Sequence, residues 1–299
     1  MPAVCHGSPS ASQTWTFFET AAGRGMAEPI LVAAAESVTR LEGVAGKVLV
    51  AGSHGGVIAA CYGANAGVHA LVLNDAGLGM ERAGIAGLAW LDAIGMAAAA
   101  VDCRSARIGD GADMLARGVI SHANVYAALC GVVAGQSCRD AAERMRSAAP
   151  PRAAPPPYPE GRWRLLAGPP EVWALDSVGK LEPADAGRIL VIGSHGALHG
   201  GRHDTALTVD AAAAVFNDAG VGADRIGITR LPVLGARGIP AVAVDCMSAR
   251  IGDGRSMWES GVILHLNAPA AALGATRGMG VQSFAAICIA ARTAAQNRR

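Results

Sequence analysis

Val101-Asp-Cys-Arg-Ser-Ala-Arg-Ile-Gly-Asp-Gly111 recurs as Val244-Asp-Cys-Met-Ser-Ala-Arg-Ile-Gly-Asp-Gly254, and the one polar difference is Arg104 against Met247. Laying Gly95 to Asn124 over Gly238 to Asn267, at a constant offset of 143 residues, gives 19 identities in 30 positions. The same offset carries Asn74-Asp75-Ala76-Gly77 onto Asn217-Asp218-Ala219-Gly220, and an offset of 141 carries Ser53-His54-Gly55 onto Ser194-His195-Gly196. Repeats that share only a fold keep their apolar patterning and let loops drift, whereas here the loops are held in common. The reading is an internal duplication organised around a site.

Working outward, each polar motif follows a short apolar run of strand type. Lys47 to Ala51 leads into Gly52-Ser53-His54-Gly55-Gly56, Ala70 to Leu73 into Asn74-Asp75, and Ala98 to Val101 into the signature loop. In the second half Arg188 to Ile192, Ala211 to Phe216 and Ile239 to Val244 play these parts. Between them the pattern predicts a glycine turn entering a helix after each Gly-Ser-His, a helix over Glu81 to Ile94, a short helix over Ala112 to Arg117 and a capped helix from Ser137 to Arg146. Val262 to Asn267 reads as a further strand, while Trp15 to Val38 carries no decisive pattern. Strands alternating with helices imply right-handed βαβ units. The expected fold is α/β, internally duplicated, with two βα-repeat halves, mostly parallel sheets and a shared site at the strand C-terminal ends, the edge where open α/β sheets bind ligands.

The chain divides into a small, polar leader (Met1 to Thr14), a first repeat (15–146), a linker with six prolines in fifteen residues (147–161) and a second repeat (162–299). A formal net charge of +1 without basic runs leaves no footprint for nucleic acid or anionic lipid. The apolar content of 52% is rich in Ala and Gly, and the longest apolar region, Ala83 to Val101, is broken by Asp92 and three glycines. No membrane span is expected. Seven cysteines without a Cys-x-x-Cys pair suit free thiols in the cytoplasm. Small residues and apolar surfaces admit a homo-oligomer.

The candidate site follows from the shared loops. Ser53, His54, Ser194 and His195 stand at turns suited to an anion, with glycine-permitted turns and serine caps as the alternative. Asn74, Asp75, Asn217 and Asp218 place an amide and a carboxylate at a strand end, for base or metal-ligand duty or for a simple Asx turn. Ser105, Arg107 and Asp110, with Ser248, Arg250 and Asp253, follow within the signature loops; the arginines either clamp a substrate carboxylate or brace the loop. Cys103 and Cys246 occupy equivalent positions and serve as acid-base thiols or as buried packing residues. His122 and Asn124 match His265 and Asn267, two residues apart on a strand and so on one face. The halves differ after Ser194-His195, where His199, Arg202, His203 and Asp204 replace Cys61, Tyr62 and Asn65. His199 and His203 have metal-ligand spacing, although Gly200 and Gly201 oppose a helix there. A divalent metal fits this inventory; a nucleotide cofactor does not, because Gly52-x-x-Gly55-Gly56 and Gly193-x-x-Gly196 lack both the Gly-x-Gly-x-x-Gly spacing and a Walker lysine.

Two βα halves with polar loops between them are similar in plan to cofactor-independent amino-acid racemases, a likeness of architecture with no motif matched residue by residue. Three functions are expected from these residues. The first is an enzyme acting on a small polar, carboxylate-bearing metabolite by acid-base chemistry, with hydrolysis of an amide-like bond as its reaction. His54, His195, Asp75 and Asp218 would move protons while Arg107 and Arg250 hold negative charge. The second is racemisation or isomerisation by the Cys103 and Cys246 pair, and the third a module that binds or senses an anion without turnover.

Overall fold

The computed structural model describes residues 29–296 apart from residue 40. The expected leader and the start of the first repeat therefore lie outside the described residues. The architecture is α/β, with two mostly parallel sheets interleaved with helices, consistent with two βα halves. In the first half β1 (Val32–Ala35), β2 (Val48–His54), β3 (Ala70–Asn74) and β4 (Ala98–Val101) run parallel in sequence order, and β5 (Ile120–Ala123) closes the edge antiparallel to β4. In the second half β6 (Arg162–Leu166) pairs antiparallel to β7 (Val172–Leu175), which heads the parallel series β8 (Ile189–His195), β9 (Ala213–Asn217) and β10 (Ala241–Val244), with β11 (Ile263–Leu266) antiparallel at the far edge.

The central strands are buried along their whole length, as parallel strands covered on both faces must be. Alternation assigns their side chains to two cores. Leu49, Ala51, Leu71 and Leu73 face α1 (Val57–Asn65) and α2 (Ala86–Asp92); Val48, Val50 and Val72 face α3 (Gly111–Arg117) and, beyond the short α4 (Val125–Leu129), α5 (Cys138–Met145). The second sheet is covered likewise by α6 (Arg230–Ala236) on one face and by α7 (Gly254–Ser260) and α9 (Val281–Gln296) on the other, with α8 (Ala268–Ala272) at the edge. Ser137 caps α5 by accepting from the Asp140 N–H, as its sequence implies.

Several expectations need correction. Gly52-Ser53-His54 and Gly193-Ser194-His195 are the last residues of β2 and β8, not turns, and a register shift accommodates them against β3 and β9. Here glycine is required because the signature loop crosses the strand: the Gly109 N–H donates to the Gly52 carbonyl at 2.7 Å, and a Cβ on Gly193 would meet the Asp253 nitrogen at 2.6 Å. The expected helix over Glu81 to Ile94 begins only at Ala86, because Glu81 and Arg82 adopt positive φ inside a 3-10 segment. A helix follows Gly-Ser-His in the first half alone. In the second, residues 197–206 form loop and 3-10 turns. The matched positions Gly87 and Arg230 explain the difference. Gly87 has no side chain, and a Cβ there would sit 2.6 Å from Ala60 of α1. Arg230 instead fills that space, fully buried, and donates to the Ala197 and Ala206 carbonyls at 2.8 and 2.6 Å.

The carboxyl edges of the two sheets face each other and are docked. The loops after β3 and β9 meet at Gly77 and Gly220, and the Met80 and Ala223 N–H groups donate across to the Cys246 and Cys103 carbonyls, each at 2.7 Å. Ala76, Ala83 and Ile108 pack against Ala197, Ala219, Ile226 and Ile251 beside them.

Candidate functional site

Docking commits most of the residues shared by the two halves to holding backbone. The Ser53 and Ser194 hydroxyls accept from the Val38 and Val178 N–H groups at 3.0 and 2.9 Å. Nδ1 of His54 accepts from Gly56 and that of His195 from Ala197, which places the proton on Nε2. Asn74 and Asn217 form Asx turns with Ala76 and Ala219. Asp75 Oδ1 receives the Gly77 and Cys103 N–H groups, and Asp218 Oδ1 those of Gly220 and Cys246. Ser105 and Ser248 donate to the Asp102 and Asp245 carbonyls and accept from Val119 and Val262. Asp110 and Asp253 cap α3 and α7.

The arginines brace. Arg107 donates to Asp224 at 2.8 Å and Arg250 to Glu81 at 3.2 Å, two ion pairs at matched positions across the halves, and Arg250 also pairs with Asp253 at 3.0 Å. Because β5 and β11 run antiparallel, Asn124 and Asn267 lie at the opposite sheet edge from the loops. There each receives the first N–H of β4 or β10 (Ala98, Ala241) and spends its amide on carbonyls. Both pin backbone, and Asn267 also lines a cavity beside His265.

His54 and His195 are also separate from the remaining cluster. Burial pushes His54 down to about 4, against an opposing pull from Glu160, and it faces a cavity of about 200 Å³ beneath Arg250. His195 lies well below the usual histidine range through burial, with His199, Arg230 and His54 adding to it. Both rings are neutral at pH 7. His199 and His203 share no helix face, as Gly200 and Gly201 implied: Gly200 has positive φ inside the first of two separate 3-10 turns.

What does converge is a carboxylate, carboxylate and thiol set in each half: Asp75, Asp102 and Cys103, and Asp218, Asp245 and Cys246, each with ligand atoms within 4.8 Å of one another. The two sets differ in access. Arg104 straddles Asp102, its Nε and Nη2 donating to the two carboxylate oxygens at 3.0 and 2.8 Å. Met247 stands in its place in the second half, exposed to solvent, and among the described residues the Asp245 carboxylate receives only the Met247 N–H, on Oδ1. His122 Nε2 is held by Arg82 at 3.1 Å, whereas His265 Nε2 lies 3.9 Å from Asp218 Oδ2. His265 also lines a cavity of about 550 Å³, together with Ile228, Leu231, Pro232, Asn267, Arg225 and Arg277; the Asp218, Asp245 and Cys246 side chains do not line it. Neither arginine pairs with a carboxylate among the described residues.

Burial, then Asp218 and Asp245, push the Cys246 thiol up to about 12, and burial with Asp75 and Asp102 does the same to Cys103. Neither is a thiolate by itself at pH 7; two carboxylates and a thiol gathered in one place need a cation to become a ligand set. Burial first, and then Arg225 and Arg277, lower His265, which keeps the imidazole neutral. Cys103 and Cys246 each lie against the glycine of the other half's loop. A Cβ on Gly77 would stand 2.8 Å from Gly220 Cα and 3.4 Å from Cys246 Sγ, and one on Gly220 3.3 Å from Cys103 Sγ, so glycine backbones occupy the space beside both sulfurs.

Sequence reasoning missed Asp245, Arg225 and Arg277. For Asp245 and Arg277 the signal lay in the difference between halves: Asp245-Cys246 repeats Asp102-Cys103 while the adjacent arginine becomes methionine, and Arg277 falls on Ala134; Arg225 falls on Arg82, and no difference marks it. No helix of the described residues is long and apolar enough to cross a membrane, and the six cysteines among them are free thiols. Comparison with protein-family models, with curated proteins and with solved structures returned no match, so function is argued from the site itself.

Proposed function

We propose that the second half carries a metal-assisted hydrolytic site for a small amide that bears a carboxylate. The observation behind this reading is His265, which stands 3.9 Å from Asp218 in the Asp218, Asp245 and Cys246 cluster and also lines a cavity with Arg225 and Arg277, neither paired with a carboxylate among the described residues. Carboxylate oxygens and a thiolate are ligands a borderline cation such as zinc accepts, and three protein ligands leave the open position of a catalytic site. A divalent ion supplies Lewis acidity and a bound water of lowered pKa. Cys246 would have to give up its proton to serve as a ligand.

The remaining roles belong to the chain. His265, neutral and directed at Asp218, takes the proton from the attacking water and returns it to the leaving nitrogen. The water oxygen joins the carbonyl carbon, the C–N bond breaks and the amine departs with that proton, so one water is consumed. Arg225 and Arg277 hold the substrate carboxylate, and the apolar wall of Ile228, Leu231 and Pro232 receives the hydrocarbon part of the substrate.

The test is metal content after zinc loading and dialysis, together with amine release from a panel of N-acyl amino acids. One equivalent of zinc and measurable turnover are expected. Asp245→Asn and Cys246→Ala should each lose the metal and at least about a hundredfold in turnover, while Asp102→Asn and Cys103→Ala keep both. Zinc retained in full by Cys246→Ala, or equal losses from the first-half variants, would sink the assignment. Saturable binding of an N-acyl amino acid recovered unchanged would leave a binding module in place of an enzyme.

A further inference from the structure

The linker between the halves does more than connect them. Tyr158 and Glu160, near its end, wall a third cavity, of about 180 Å³, against Cys61, Tyr62 and Asn65 of α1 and Lys180 of the second half. Glu160 is the informative residue. Its side chain is only 7% exposed. Oε2 accepts from the Tyr62 hydroxyl at 2.7 Å and lies 3.2 Å from Lys180 Nζ, but Oε1 is buried with no hydrogen-bond partner among the described residues. A buried carboxylate oxygen without a donor costs free energy that a ligand N–H would recover.

The surroundings favour a positive ligand. Asn65 spends its amide N–H on Cys61 Sγ at 3.2 Å, which leaves its carbonyl as an acceptor. Two tyrosine rings line the space, and aromatic faces attract cations. Ile58 and Tyr158 also wall the adjoining cavity of about 200 Å³, where His54 is neutral and Glu81, Arg250 and Asp253 meet. Across the two chambers three carboxylates (Glu81, Glu160, Asp253) face two cations (Lys180, Arg250), an excess of one negative charge.

We propose that this slot between α1 and the linker binds a small primary ammonium ion, its N–H groups donating to Glu160 Oε1 and the Asn65 carbonyl. The site is separate from the Asp218 cluster, so either can fail without the other. Lys180 competes for the same carboxylate, and this sets the sign of the decisive test.

Binding of n-butylammonium chloride to the full-length protein is measured by isothermal titration, with tetramethylammonium chloride as a probe of equal charge but no N–H donor. Saturable butylammonium binding is expected, and at least about tenfold weaker binding of tetramethylammonium. Glu160→Gln should weaken butylammonium on the order of tenfold or more, and Asn65→Leu, at an exposed position, several-fold. Lys180→Met should tighten it, a gain that damage to the fold does not produce. No saturable butylammonium binding, equal affinity for the two ions, or weaker binding by Lys180→Met would each overturn the proposal.

Discussion

Replacing Gly77 by alanine measures how much of the stability comes from docking the halves, provided the cost of the backbone conformation is removed by a matched control. Gly77 has φ +72° and Gly46 φ +71°, so alanine suffers the same left-handed strain at both, roughly 1–2 kcal/mol. Their surroundings differ. Nothing lies within 4 Å of a Cβ on Gly46, whereas one on Gly77 would be 2.8 Å from Gly220 Cα and 3.1 Å from its nitrogen. These are backbone atoms of the other half and cannot rotate away. Overpacking of this kind adds roughly 1–3 kcal/mol. Gly46→Ala should therefore cost about 1 kcal/mol and Gly77→Ala about 3 kcal/mol, read as shifts in the urea midpoint at unchanged m-value. At roughly 2–4 °C per kcal/mol, Gly77→Ala should also melt several degrees below Gly46→Ala. Gly220→Ala should match Gly77→Ala, and the double variant should cost less than the sum, because moving the halves apart relieves both contacts. Equal destabilisation by Gly46→Ala and Gly77→Ala would refute the claim that the loops are pressed together.

Other consequences can be measured separately. Burial works to raise the Asp185 carboxyl, but Arg162, the Glu182 N–H and Arg188 outweigh it and hold it down at about 2. A depressed folded pKa gives stability that is complete above the unfolded value near 4 and lost as pH falls toward 2, here about 2 kcal/mol; urea titrations from pH 5 to pH 2 should show that loss, and Asp185→Asn should flatten it. Arg230 is pulled down to about 10 by burial and remains a cation, with Nη2 unpartnered. Arg230→Ala removes the two bonds to 197–206 and leaves a cavity, so a loss of about 3–5 kcal/mol and faster proteolytic cutting in that segment are expected. Met247→Arg restores the clamp seen on Asp102 and should abolish zinc retention without lowering the melting temperature, as checked by metal analysis and calorimetry.

The repeated loops were legible as a shared pattern, and most of their polar side chains hold backbone N–H groups. Ser53, Asn74, Asp75, Ser105, Asp110 and Asn124 recur because each satisfies a particular backbone N–H, and an equivalent turn in the other half needs the same donor or acceptor. The candidate site instead depends on single departures from the repeat: Arg104 to Met247 and Ala134 to Arg277. Tyr158 and Glu160 gave no sign of themselves, because a proline-rich segment reads as a connector until its course over α1 is known.

The sequence by itself determined the α/β class, the three parallel strands and their polar termini in each half, and the matching of the halves. These follow from local apolar runs, turn residues and identity at a fixed offset. Tertiary structure decided everything that depended on who faces whom. That Arg107 and Arg250 meet Asp224 and Glu81, and that Asn124 lies at the edge away from the loops, follow from contacts between residues more than a hundred positions apart and from strand direction. Periodicity carries no information about either.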